Sequence, residues 1–402
     1  MNTLSRQCLT VATTVALLSA SPTRATEDAA SPYSIDSQYR LDYWRGLSGP
    51  LKDHWRHAGN LDLRFSADAA KAWGWDNTRF FVHAIANHGN HPNGRQAAAQ
   101  GIDNIEVTVN TARIFQAWGE TSFLDKRLNV LFGLLDLNSE FEVTESSATL
   151  IHPTFGTGSE LAQAGRAGPS VFPLSSLALR GAWNFNEQIT LRAALFDGVP
   201  GDPARPHGTH IKLGHGDGTL LISELGFSHK SNENDINKLA AGAWRYSSRF
   251  NDHLDTNSVG DPIKRENHGA YVLGERTVWK ANADGSRGVD AFLRIGWAAG
   301  SVNQMDKALG AGLLWRGPIE SRPKDKLTFG IAAEHNSHKW RAAKRAAGEA
   351  DPAAEVGYEL SYRAVINDWF ALQPDVQWLR NHGTAQASKN ATLLGLRLDF
   401  SF

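Results

Sequence analysis

The last twelve residues, Ala391-Thr-Leu-Leu-Gly-Leu-Arg-Leu-Asp-Phe-Ser-Phe402, constrain this chain more than any other stretch. Apolar side chains stand at Leu394, Leu396, Leu398, Phe400 and Phe402, with Gly395, Arg397, Asp399 and Ser401 between them. Successive side chains of a strand point to opposite faces, so this strand has one apolar face and one wet face. The sequence then stops on an aromatic residue. A soluble sandwich seldom ends in this way. A transmembrane β-barrel does, because its closing strand shows one face to lipid and the other to an aqueous lumen.

The other end agrees. Met1 to Ala25 holds one basic residue near the start (Arg6), an apolar run from Leu9 to Ala20 and the small-x-small triplet Thr23-Arg24-Ala25. That pattern predicts a secretory leader over residues 1–25. Its apolar run is too short for a membrane helix, and no later stretch has the eighteen or so continuous apolar residues that one needs. The single cysteine, Cys8, lies in the leader, so no disulfide or thiolate metal site is expected after cleavage.

From Asn60 onward the period-2 pattern recurs. Leu61, Leu63 and Phe65 alternate with Asp62, Arg64 and Ser66; Leu177, Leu179 and Trp183 with Ala178, Arg180 and Asn184; Ile189, Leu191 and Leu195 with Thr190, Arg192 and Phe196. The pattern returns at Leu131, Gly133, Leu135 and Leu137 against Phe132, Leu134, Asp136 and Asn138, at Tyr358, Leu360 and Tyr362 against Glu359, Ser361 and Arg363, and again around Phe370–Trp378. Asn186-Glu187 and Asn367-Asp368 read as tight turns. Phe196–His215, Lys230–Asn237, Asn251–Asn267, His338–Asp351 and Asn381–Asn390 read as polar loops. Short turns alternating with long loops is the outer-membrane arrangement. The roughly 377 residues after the leader, at roughly 22–25 per strand and connection, give about sixteen strands. Leu51, Trp55 and Ala58 have helical spacing ahead of Gly59, which predicts a short helix. The expected organisation is a leader over 1–25, a periplasmic segment with that helix over 26–59, and an all-β, antiparallel transmembrane barrel over 60–402.

Several segments resemble one family, the OprB-type carbohydrate-selective porins of Gram-negative bacteria. They are Gly119–Phe141, ending Leu135-Asp-Leu-Asn-Ser-Glu-Phe141, then Ala194-Leu-Phe-Asp-Gly-Val-Pro-Gly-Asp-Pro203, and Trp44-Arg-Gly-Leu47 with Ala58-Gly59. Glu359-Leu-Ser-Tyr-Arg363 with Leu372-Gln-Pro-Asp-Val-Gln-Trp378 adds a penultimate hairpin. The resemblance runs from about Tyr43 to Phe402. It implies a sixteen-stranded outer-membrane pore that passes small sugars of the glucose type. Gly156–Pro173 departs from the family pattern: it carries Glu160 and Arg166 amid Ala and Gly, and would alter selectivity if folded into the lumen.

A neutral sugar needs hydrogen-bond donors and acceptors for its hydroxyls and ring faces for its apolar side, held weakly enough for passage. Strand parity places Arg64, Glu120, Asp136, Asn138, Arg180, Arg192, Glu359 and Arg363 on the lumen side, with Trp118 sharing the parity of Glu120. Each could equally be a solvated lumen residue or half of an ion pair across the wall. No cofactor is expected. His83, His88 and His91 are close in sequence but flank a loop, and Glu334-His335-Asn-Ser-His338 lacks the zincin spacing. Gly156-Thr-Gly-Ser159-Glu lacks the second glycine of a nucleophile elbow. A net charge of −1 gives no case for nucleic acid. The expected partners are small carbohydrates, outer-membrane lipid and lipopolysaccharide, with a homotrimer left open. Rival readings are a differently selective or general diffusion channel, an outer-membrane barrel enzyme and a soluble lectin-like protein.

Overall fold

The computed structural model describes residues 31–229, 233–383 and 390–402. The leader read over 1–25 lies outside these residues, as do 384–389 of the last loop. Sixteen strands form one closed antiparallel barrel. In chain order they are β1 (Tyr33–Gly46), β2 (Trp55–Asp68), β3 (Thr78–Gly89), β4 (Ala112–Phe123), β5 (Leu128–Leu135), β6 (Ser176–Asn184), β7 (Ile189–Asp197) and β8 (Thr219–Ser228). Then come β9 (Asn237–Thr256), β10 (Pro262–Lys280), β11 (Gly288–Ala298), β12 (Met305–Arg316), β13 (Lys326–Asn336), β14 (Ala354–Asn367), β15 (Phe370–Arg380) and β16 (Ala391–Ser401). Each pairs with its sequence neighbours, and β1 closes on β16 with Tyr39 opposite Phe400 and Leu41 opposite Leu398. Closure removes the sheet edges except at the top of β4, which β5 is too short to reach and where Ser175 and Thr209 take up its backbone groups.

The alternation read from the sequence sets the two faces. Leu63, Leu179, Leu195, Leu221, Leu293, Leu313, Leu360 and Leu394 are exposed on the outside. Exposed rings flank that apolar band. Trp73, Trp75, Phe185, Trp279 and Trp369 lie at the short-turn end, and Trp55, Trp297 and Trp378 at the long-loop end. Two such girdles mark the membrane–water boundaries of an outer-membrane barrel.

Five expectations are corrected. Residues 51–58 form a turn and the start of β2, not a helix, and Trp55 points outward, opposite Arg45. Three apolar residues in helical spacing carry too little to offset the cost of a helical nucleus, while pairing along β1 supplies a backbone partner at each step. The barrel therefore begins at Tyr33 rather than Asn60. Its first strand looked polar because Asp36, Gln38, Arg40 and Asp42 fill the inward positions. Asn251–Asn267 is not one loop. β9 and β10 continue through it, and only 257–261 connects them. Strands standing clear of the membrane are wet on both faces and show no alternation.

In β5 the faces are the reverse of a simple apolar-out reading: Phe132 is 61% exposed, whereas Leu131 is 0% exposed and points inward. Finally, β8 ends at Ser228 and β9 begins at Asn237 at the short-turn end, so the Lys230–Asn237 reading as a long outer loop does not hold.

Candidate pore constriction

The inward leucines of β5 are explained by what covers them. The 136–175 loop turns into the lumen and lays Leu137, Phe141, Leu161 and Ala164 against Leu131, Leu135, Phe196, Ile222, Trp244 and Tyr271 of the inner wall. Backbone folded into a pore must still satisfy its amides and carbonyls. Wall side chains do this. Glu359 accepts from the amides of Ile151 and His152 at 2.5 and 2.9 Å. Glu224 accepts from the Glu142 amide at 3.0 Å and Glu275 from that of Ser146 at 2.6 Å. Lys238 donates to the Val143 carbonyl, Gln373 to that of Thr149 and Arg294 to that of Gly156, at 2.6, 2.6 and 3.0 Å.

A second loop, 90–111, reaches in from the neighbouring connection between β3 and β4. Glu355 accepts from the Ala99 and Gln100 amides, both at 2.9 Å. Fully buried Trp44 donates to Asp103 at 2.7 Å. Arg397, paired to Asp42, also donates to Asn104 at 2.7 Å. The two loops and the β1–β4 wall enclose a cavity of about 350 Å³. The wall contributes Arg40, Asp62, Arg64, His83 and Phe115, the 90–111 loop Gln100 and Asn104, and the 136–175 loop Asp136, Asn138, Gly156, Gln163 and Phe172. Gln100, Asn104, Gln163 and Phe172 also border the space between the loops above, so cavity and mouth are continuous.

Asp62 organises the charge. Its carboxylate accepts from Arg40 at 2.7 Å and from Asn60 at 2.7 Å, meets His83 Nε2 at 2.8 Å and lies 3.6 Å from Arg64. Arg64 also donates to Asp36 at 3.0 Å. Both guanidinium groups keep part of their surface in the lumen. Rings adjoin them: Phe115 packs edge-on to His83 at 5.5 Å and to Phe172 at 5.8 Å. Lower in the lumen Phe81 lies 5.1 Å from Trp118, which Arg79 covers at 5.2 Å.

Of the side chains read from strand parity, Arg64, Asp136 and Asn138 line this cavity. Asp136 and Asn138 do so as a loop start, where Asp136 accepts from the Asn138 amide at 3.1 Å. Glu120, Arg180 and Arg192 lie on the wall beside the 136–175 loop. Glu120 bonds Arg79 at 2.5 Å and Arg180 at 2.6 Å, Arg180 reaches Glu140 at 3.0 Å, and Arg192 stands 3.6 Å from Glu140. Arg363 pairs with Asp399 at 2.9 Å. Glu359 has both oxygens engaged by loop amides. Arg40, Asp62, Gln100, Asn104, Gln163 and Phe172 were not singled out from sequence. Asp62 was legible, sharing parity with Arg64; the loop residues carry no periodic signal.

Inside the 136–175 loop, Glu142 and Glu160 are both buried. Glu142 accepts from the Gly158 amide at 3.0 Å, and Glu160 has no hydrogen-bond partner among the described residues. Burial raises both carboxyls above the ordinary range. Arg294 opposes the rise at both, and Glu160 adds to it at Glu142.

The His83–His88–His91 grouping is not assembled: His83 faces Asp62 in the lumen, whereas His88 faces outward and meets the Tyr39 hydroxyl at 2.8 Å. Among the described residues no cluster of metal-ligating side chains forms.

The family model described as "Carbohydrate-selective porin, OprB family" matches residues 52–402. Porin B of Pseudomonas aeruginosa is 22% identical over 412 residues, spanning 94% of this chain and 89% of that protein. Among solved structures, the high-pH structure of Pseudomonas putida OprB superposes with a TM-score of 0.82 at 20% identity, over 92% of this chain and 94% of that one. The outer membrane channel DcaP of Acinetobacter baumannii gives 0.57 at 10% identity, over 92% and 97%.

Proposed function

This chain belongs to the carbohydrate-selective porins of the OprB family, and on that premise we propose that it admits glucose-type monosaccharides passively into the periplasm. It is an outer-membrane channel and not an enzyme, as its relatives are porins. The observation that carries the finer reading is the cavity between the two inward loops. At about 350 Å³ it is at the small end of ligand-sized cavities, roughly 300–1,000 Å³, which suits one sugar ring better than a chain of them.

Its lining supplies what a pyranose needs. Arg40 and Arg64 donate to hydroxyl oxygens, while Asp62, Asn104, Asp136, Asn138 and Gln163 accept from hydroxyl protons. The Phe115 and Phe172 rings meet the C–H surface. Arg40, Arg64 and Asp62 are already paired with one another, so a sugar displaces no strong contact there and is held weakly, as flow requires. In this reading Trp118, Glu120, Arg180 and Arg192 line the lumen wall, and Glu359 acts by holding the loop rather than by touching the solute.

The test is planar-bilayer conductance of the purified protein during titration with glucose and then sucrose. Saturable block by glucose, weaker with sucrose, is the expected result. Channels indifferent to both would remove the monosaccharide claim and leave a general diffusion pore.

A further inference from the structure

We propose that the loops above β4 enclose a binding site for a small organic acid, a carboxylate carried on an apolar ring, separate from the sugar cavity. Strand register places its anchor. Asp62 on the lumen face stands opposite Ile85, and Ile85 opposite Arg113, so Arg113 also faces inward. It is the second residue of β4, at the long-loop end. β4 pairs with β5 only from Ala117 onward, so loops rather than a strand adjoin this part of the wall. The Arg113 guanidinium lies under the 198–218 loop and donates to the Pro206 carbonyl at 3.3 Å.

That weak bond is its one contact of the kind. Arg113 is 7% exposed, and its Nε and Nη1 have no hydrogen-bond partner among the described residues. No carboxylate among them forms an ion pair with it. A buried cation in this condition is costly, and an anion beside it offsets the cost. Asp202, the acid that lines the same cavity, is already taken: Arg205 and Lys212 hold it, each at 3.1 Å.

The cavity that Arg113 lines decides what the anion carries. It measures about 360 Å³, and Val109, Pro173, Leu174, Pro200, Pro203 and Pro206 give it an apolar wall. Prolines have no N–H to donate. The Thr209 hydroxyl is engaged by the Ile114 amide at 2.6 Å and the Ile114 carbonyl at 3.3 Å. A phosphate or sulfate would leave oxygens there without donors. A carboxylate lays both oxygens on the fork of one guanidinium, and an apolar ring behind it meets the prolines. The volume, at the small end of ligand-sized cavities of roughly 300–1,000 Å³, suits a single ring with its acid group. This cavity and that of the sugar share no lining residue, so the two solutes bind independently.

The experiment is isothermal titration calorimetry of the full-length protein in detergent with three probes: benzoate, benzamide (the same ring without the charge) and acetate (the same acid without the ring). The expected result is one saturable benzoate site per chain, with benzamide and acetate each bound roughly tenfold or more weakly, and with Arg113→Gln losing the preference for benzoate over benzamide. Equal affinity of the unaltered protein for benzoate and benzamide would overturn the proposal, whether or not the variant folds. So would acetate bound as tightly as benzoate, which would make the site one for any free anion. Displacement of benzoate by glucose would also overturn it, by placing the acid in the sugar cavity.

Discussion

Glu359→Gln is the most informative single change in the constriction. The native carboxylate receives two loop amides at 2.5 and 2.9 Å in a buried setting. Glutamine preserves shape but turns one acceptor into a donor, which faces an amide hydrogen. At least one amide of Ile151 or His152 is then left unpaired, and a charge-assisted bond is lost. That costs about 1–3 kcal/mol, equivalent to a roughly 5–150-fold shift toward a state with this part of the loop detached. The other anchors, Glu224, Glu275 and Gln373, remain, so the barrel folds and the loop loosens locally. Single-channel recording should show larger, noisier conductance, and sucrose should permeate relative to glucose more freely than in the unaltered protein. Conductance, noise and the sucrose-to-glucose ratio all identical to the unaltered protein would refute the view that this carboxylate holds the constriction.

Three further outcomes are expected. Asp62→Asn removes the negative charge shared by Arg40 and His83, leaves Arg40 uncompensated and leaves Arg64 with Asp36 alone; at about 1 kcal/mol per exposed charge, the reversal potential in a salt gradient should move toward anions, and an unchanged potential would contradict this. The raised carboxyls of Glu142 and Glu160 bind protons more tightly in the folded loop than in an unfolded chain, so their contribution to loop stability is complete below the ordinary carboxylate range and is lost as pH rises through the raised values; conductance noise should grow on going from acid to alkaline buffer, and Glu142→Gln should flatten that dependence. Trp44→Phe leaves buried Asp103 without its 2.7 Å donor, costs about 1–3 kcal/mol and should expose the 90–111 loop to protease, as read by cleavage rate on intact vesicles.

The barrel was legible because a membrane reads side chains one at a time. In β7, Ile189, Leu191 and Leu195 face outward while Arg192 and Phe196 face in, as their spacing dictates; β6, β14, β15 and β16 obey the same rule. Lipid tolerates one face only, so a period of two is enough to give strand, face and, with chain length, an approximate strand number. Where lipid stops, the rule stops. The outer halves of β9 and β10 carry no alternation and read as a loop; β1 does alternate, Ile35, Tyr39, Leu41 and Tyr43 against Asp36, Gln38, Arg40 and Asp42, but its density of charge reads as a polar segment rather than a strand.

The constriction depended on tertiary structure for a different reason. Leu131 and Leu135 face inward only because the 136–175 loop returns to cover them. Glu359, which by type could bind a sugar, is spent on two loop amides. Arg40, Asp62, His83 and Phe172 become one site through β1, β2, β3 and a loop distant in sequence. Where one face meets lipid and the other meets water, face is a local property and sequence by itself determined it; β5, whose inner face the loop covers, is the exception. Which lumen charges are neutralised, and which stay open to a solute, follows from contacts between segments far apart along the chain, and the fold alone decided that.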